Sequence, residues 1–229
     1  MRKALLALAI ALPALSPVAL RPAFAQAPTS QGQAETTAAS VAERVQAFYN
    51  RTRTFRADFR QEFTIKAHNQ KKTSEGRVAF EKPGKMSFTY TQPTGNRVVS
   101  DGKVLKVYEA ENRQMFEQQV DRSQYPAALA FLMGEGNLQE SFDLRLLDAR
   151  AMGVEGAWVL EGTPKEPTPA YQKVLLYVDM ATAQVRRVLI IDAQGNRNRF
   201  DFSNPVVNTK IPAREFSFTP PPGTQVIKP

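Results

Sequence analysis

The 229-residue chain has no cysteine and a single histidine. Without cysteine there is no disulfide, no thiolate chemistry and no lipid-modified N-terminal Cys to anchor a lipoprotein. The lone histidine, His68, sits in the polar stretch KAHNQKK, where no second His or Cys exists to complete a metal site or a catalytic triad. Ser100 and Lys103 flank a turn whose exposed tip offers the lysine no burial to lower its pKa. Glu109 and Glu111 lack the glycine-rich loop, aromatic platform or partner of an acid/base couple. A phosphate loop and a dinucleotide fingerprint are likewise absent from the sequence. These gaps move the expectation from catalysis to binding: no enzyme, no catalytic residue, no metal ligand and no cofactor.

A bilayer-spanning run is also missing. The longest apolar stretch, Ala4 to Leu15, is broken by Pro13, Ser16 and Pro17, short of the roughly 20 residues a membrane helix needs. Preceded by Arg2 and Lys3 and followed by Ala23-Phe24-Ala25, it has the form of a secretory signal peptide over 1–25. Its removal takes three of the 30 basic groups and leaves 27 against 22 acidic ones, a net +5. That balance suits anionic partners or membrane surfaces, but export argues against nucleic acid. Arg51, Arg53, Arg56 and Arg60 are open to either reading, a face for a partner or ordinary solvated charge.

After a flexible leader over 26–39, without large apolar residues from Gln26 to Thr37, a single domain is expected over 40–229. Ser40 and Glu43 fit a capping box, and Val41, Val45, Phe48 and Tyr49 form one helical stripe, which predicts a helix over 40–50. Then the period changes to two. Phe55, Ala57, Phe59, Gln61, Phe63 and Ile65 alternate with charged or polar neighbours, as do Met86, Phe88 and Tyr90. Asp101-Gly102 and Gln194-Gly195-Asn196 mark tight turns. Further strands near 75–82, 113–119, 142–150, 156–163, 171–179, 184–192 and 197–207 bring the count to about eleven. Pro126 to Met133 reads as a short apolar helix, with a further helical turn over 137–141. So little helix cannot cover one face of so large a sheet. Two arrangements remain open, a barrel packed on itself or a cavity that takes an apolar ligand.

Phe55-Arg56-Ala57-Asp58-Phe59-Arg60-Gln61, the turn Lys82-Pro83-Gly84-Lys85 before Met86-Ser87-Phe88, and Val99-Ser100-Asp101-Gly102-Lys103 occur in that order, followed by the 126–134 helix and Phe216 to Gly223. In this combination, behind a signal peptide, the chain resembles the LolA family of periplasmic outer-membrane lipoprotein carriers along nearly all of its mature length. The resemblance implies a mainly β fold with short α-helices: an unclosed (half) antiparallel β-barrel of about eleven strands, its apolar concave face under a helical lid. It implies a periplasmic monomer that receives lipoproteins from an ATP-driven inner-membrane release complex (LolCDE-like), shelters their acyl chains and delivers them to an outer-membrane acceptor (LolB-like). Phe59, Phe63, Met86, Phe88 and Tyr90 are the implied cavity lining, and Leu129 and Leu132 the implied lid contacts. Where well-studied members have an arginine that bonds the lid, this chain has Lys82, a point donor without the guanidinium fork, so a more readily opened empty state, or a lid held by other residues, is expected. A sensor or general lipid carrier on the same fold is the alternative; a hydrolase finds no nucleophile–base pair.

Overall fold

Helix α1 (Ala38–Asn50) opens the part of the chain that the computed structural model describes, residues 36–120 and 136–228. The helix starts two residues before the expected Ser40. Thr37 is its N-cap: the Ser40 N–H donates to Thr37 Oγ1 at 3.1 Å and the Thr37 N–H donates to Ser40 Oγ at 3.0 Å. Ser40 is thus the third helical residue of a cap one turn earlier, and Glu43 plays no part in it. Ala38 and Ala39, assigned above to the leader, are strong helix formers that lengthen the helix at no side-chain entropy cost. Val41, Ala42, Val45 and Tyr49 are its buried face; Phe48 is half-buried.

Twelve strands follow: β1 (Thr54–Ile65), β2 (Gln70–Glu81), β3 (Lys85–Gln92), β4 (Thr94–Asp101), β5 (Val104–Glu109), β6 (Gln114–Gln119), β7 (Phe142–Leu147), β8 (Ala157–Pro164), β9 (Lys173–Asp179), β10 (Val185–Ile191), β11 (Arg197–Val207) and β12 (Gln225–Ile227). A single turn, α2 (Leu138–Ser141), precedes β7. All belong to one sheet in the order β12-β6-β5-β4-β3-β2-β1-β11-β10-β9-β8-β7, antiparallel throughout except where β12 lies parallel to β6. The first and last strands of that order do not pair, so the sheet is open, as the resemblance implied. The expected count of eleven missed β12, whose three residues carry no periodicity of their own.

β2 also starts earlier than the expected residue 75. His68 lies in a 3₁₀ turn (Lys66–His68), Asn69 takes a left-handed φ of 48°, and pairing of Ile65 with Gln70 begins a twelve-residue hairpin through polar sequence. Backbone pairing with β1 overrides the loop-like composition there.

The sheet is strongly curled. β3 and β11 are three strand steps apart, roughly 14 Å on a flat sheet, yet the rings of Phe88 and Phe200 lie 6.0 Å apart. One apolar core fills the concave side, with α1 packed into it. On the convex side the C-terminal segment lays Ile211 and Phe216 over Ala79, and the Phe218 ring 5.2 Å from Tyr108, before it adds β12 to the edge. The signal peptide expected over 1–25 and the helix expected over Pro126 to Met133, with Leu129 and Leu132, fall on residues outside the described ones.

Candidate functional site

The concave face is paved with aromatic rings. Phe59 on β1 meets Phe88 at 5.2 Å and Tyr90 at 5.1 Å, both edge-on, and Phe200 at 6.4 Å. Phe80 on β2 extends the array, 5.8 Å from Phe88 and 6.0 Å from Phe55, and Phe55 reaches Phe202 at 6.1 Å. Tilted and edge-to-face contacts at these distances add about 0.5–1.5 kcal/mol per pair to the burial itself. Strand alternation puts them there: Phe55 and Phe59 stand two side-chain repeats apart on β1, and Phe200 and Phe202 one repeat apart on β11. Met86 joins the same core, 2% exposed, while Phe88 is wholly inaccessible.

Gly76 makes this density possible. It faces Phe59 across the β1–β2 pair, beside a bulge, and a Cβ there would stand 2.9 Å from the Phe59 ring and 2.1 Å from the Thr89 carbonyl oxygen. Beyond the rings the wall becomes polar. The Tyr90 hydroxyl donates to Gln61 Oε1 at 3.1 Å, and Gln61 Nε2 donates to Asn198 Oδ1 at 2.9 Å. Burial pushes the Tyr90 phenol up to about 12. Tyr49 at the base of α1 is pushed up further by the same cause, and its hydroxyl accepts from the buried Val185 N–H at 3.2 Å.

Four of the five expected lining residues, Phe59, Met86, Phe88 and Tyr90, come together in this core. Phe63 does not: it is half-buried further along β1 and makes no ring contact among the described residues. The curl brings the lining together around the middle of β1 and leaves its far end at the rim. Phe55, Phe80, Phe200 and Phe202 were not in the expected set, although the Phe-x-Phe spacing of β11 and the Val78–Phe80 alternation of β2 were the signals available.

Lys82 stands at the rim, where its Nζ donates to the backbone carbonyl of Tyr49. That carbonyl belongs to the last turn of α1, which has no basic residue of its own. The ammonium therefore supplies the positive charge that a helix C-terminus favours, and burial lowers its pKa below the usual lysine value. Two further ties hold α1 down. Arg44 stacks 4.5 Å over Trp158 and donates to the Met180 carbonyl at 3.2 Å, and the Leu138 N–H donates to Gln46 Oε1 at 3.1 Å.

Ser100 Oγ accepts the Gly102 N–H at 3.1 Å within the turn. His68 is exposed, and no cluster of three metal-capable side chains exists among the described residues. Among these residues no helix is long and apolar enough to cross a membrane.

Fold and site together define a class: an open, curled antiparallel sheet that wraps an aromatic interior beneath one amphipathic helix. Within that class the chain belongs to the LolA family, since the pattern of the outer membrane lipoprotein carrier protein LolA matches residues 50–219. An outer-membrane lipoprotein carrier protein of Bordetella avium is 30% identical over 217 residues, 95% of this chain and 96% of that protein. Its counterpart in Nitrosospira multiformis is 31% identical over 186 residues, 80% and 86% of the two chains. The crystal structure of an uncharacterised conserved protein from Thermus thermophilus shares the fold, with a TM-score of 0.50 at 16% identity over 84% of this chain and 99% of its own.

Proposed function

We propose that this protein is a periplasmic, non-enzymatic chaperone that holds the acyl chains of lipoproteins released from the inner membrane and carries them to the outer membrane. The observation that carries this reading is the array of seven mutually contacting aromatic rings, with Met86, in the interior of an unclosed sheet, in a chain that belongs to the LolA family. Each methylene removed from water contributes about 0.8 kcal/mol, so one 16-carbon chain left exposed costs on the order of 12 kcal/mol. A carrier through aqueous space is physically necessary for such cargo. Phe88 and Met86 have almost no accessible surface, so acyl chains enter by displacing what covers these side chains. Broad rings and a flexible thioether repack around chains of varied shape and release them to a more apolar acceptor.

The domain order that fits this role is a signal peptide over 1–25, a leader from 26, and one carrier domain that acts as a monomer. Phe59, Met86, Phe88 and Tyr90 line the acyl site, Phe63 stands at its rim, and Lys82 gates it by its hold on α1. Donor and acceptor are an ATP-driven release complex of the LolCDE kind and an outer-membrane receptor of the LolB kind. The test is to purify the mature chain from its host periplasm and identify what comes with it by mass spectrometry. Lipoproteins with intact acyl chains in near-equimolar amount, lost on Phe88→Glu in a variant that still folds, are expected. Recovery of free lipid alone, or of no cargo, overturns the reading.

A further inference from the structure

Where α1 gives way to β1, the ends of β2 and β11 also meet, and a cleft of about 470 Å³ lies between them. Four cations line it, Arg51, Arg53, Lys82 and Lys210, against a single carboxylate, Glu81. That carboxylate is already held by Lys85 Nζ at 2.7 Å. Among the described residues no other carboxylate pairs with any of the four. Arg53 and Lys210 form no ion pair among the described residues, and Arg51 reaches only the Ala47 carbonyl at 3.5 Å and the face of Phe48 at 5.5 Å. Lys82 uses one of its three N–H groups on the Tyr49 carbonyl. Further along the outer face, past Arg56 and Arg77, which also form no ion pair among the described residues, the charges are matched: Arg60 pairs with Glu75 at 2.7 Å, Arg199 with Asp201 at 2.9 Å, and Arg187 also with Asp201.

The cleft is also held in shape. Asn208, in a left-handed conformation at φ 57°, accepts the Arg53 N–H at 2.8 Å and donates to the Arg51 carbonyl at 3.3 Å, which ties the α1–β1 junction to the end of β11. Thr54 Oγ1 donates to the Thr209 carbonyl at 2.7 Å, and Arg56 reaches Thr209 Oγ1 at 3.2 Å. Like charges around a small fixed concavity, offset only in part by the carbonyl end of α1, repel one another, and a compact anion with several oxygens relieves that repulsion. Guanidinium forks and ammonium groups together match a phosphate rather than a single carboxylate.

We propose that this cleft is a binding site for a phosphate group. Acyl chains carry no phosphate, so the site is separate from the lining of the concave face and does not rest on the carrier role. It opens beside that lining, however: Thr54 and Glu81 are the chain neighbours of Phe55 and Phe80. A lipid headgroup and free phosphate share the required chemistry, and experiment separates them.

The mature chain is titrated with inorganic phosphate while its amide resonances are followed. In parallel it is floated with vesicles of phosphatidylcholine alone or mixed with phosphatidylglycerol. The test variant is Arg53→Gln with Lys210→Gln, both exposed; the control, Arg60→Gln with Arg187→Gln, removes the same charge from the paired face. Shifts at Arg53, Asn208 and Lys210, or salt-sensitive binding to the anionic vesicles, are expected. Either should weaken by about tenfold or more in the test variant and stay near wild type in the control. Binding to vesicles without phosphate shifts assigns the group to a lipid headgroup, and the reverse assigns it to a free ligand. Absence of both in the wild type, or equal losses in the two variants, overturns the site. Acyl-cargo binding, measured on the same variants, stays unchanged, so failure here and failure of the carrier reading are told apart.

Discussion

A methyl group added at Gly76 would press on the Thr89 carbonyl oxygen and the Phe59 ring at once. Neither can retreat, because one is sheet backbone and the other is packed against Phe88, Tyr90 and Phe200. Gly76→Ala is therefore expected to cost about 2–3 kcal/mol, read as a lower urea midpoint at unchanged slope. Tyr90 gives a pH-dependent counterpart. Its phenol is raised to about 12 in the fold against 10 for an unfolded tyrosine. Between those values the unfolded chain loses a proton that the native state retains. The Tyr90 contribution is thus fully present below pH 10 and declines as pH rises toward 12. Tyr90→Phe is expected to lose about 1 kcal/mol at neutral pH with the bond to Gln61, and to lose stability less steeply above pH 10. Tyrosinate absorbance and unfolding curves across that range check both.

Helix α1 has a sequence-encoded start and a tertiary end. The reciprocal Thr37–Ser40 bonds begin it, and Thr37→Ala is expected to destabilise it by about 1 kcal/mol, seen as faster amide exchange in its first turn. Its last turn relies on Lys82 from the β2–β3 connection. Lys82→Met should speed exchange at Phe48, Tyr49 and Asn50, and Lys82→Arg, with a fork in place of a point donor, should slow it and delay cargo release. An unchanged exchange rate in both variants would remove Lys82 as the gate. Most strands were legible in the sequence because their alternation is local: β1, β3 and the Asp101-Gly102 turn follow from period and turn chemistry alone. The early part of β2, through Gln70 to Ser74, was not, since cross-strand pairing rather than side-chain pattern makes it a strand. β12 is set by docking against β6, which no local signal contains. The lining was half legible for the same reason. Alternation identifies which side of a strand is apolar, but only the curl decides that β11 and β3 bring Phe200 to Phe88 while Phe63 stays at the rim.

At the scale of the whole molecule, the open sheet separates two surfaces by chemistry. The concave side is apolar and aromatic, the strands around β1 bear paired charges outside, and the C-terminal segment covers part of the convex side. An unclosed sheet can widen without breaking a strand pair, whereas a closed barrel of fixed strand number and stagger cannot. The two edges, β7 and β12, are short, which limits association with other sheets. Membership of the LolA family and this interior converge on one claim, that the aromatic concave face is what holds lipoprotein acyl chains. The most direct measurement is photo-crosslinking of the mature chain with a triacylated lipopeptide that bears a diazirine in its acyl chains, followed by mapping of the labelled residues. The account predicts label on Phe59, Met86, Phe88 and Phe200. Label confined to the convex face around Arg60 and Arg199, with those four residues unmarked, would contradict it.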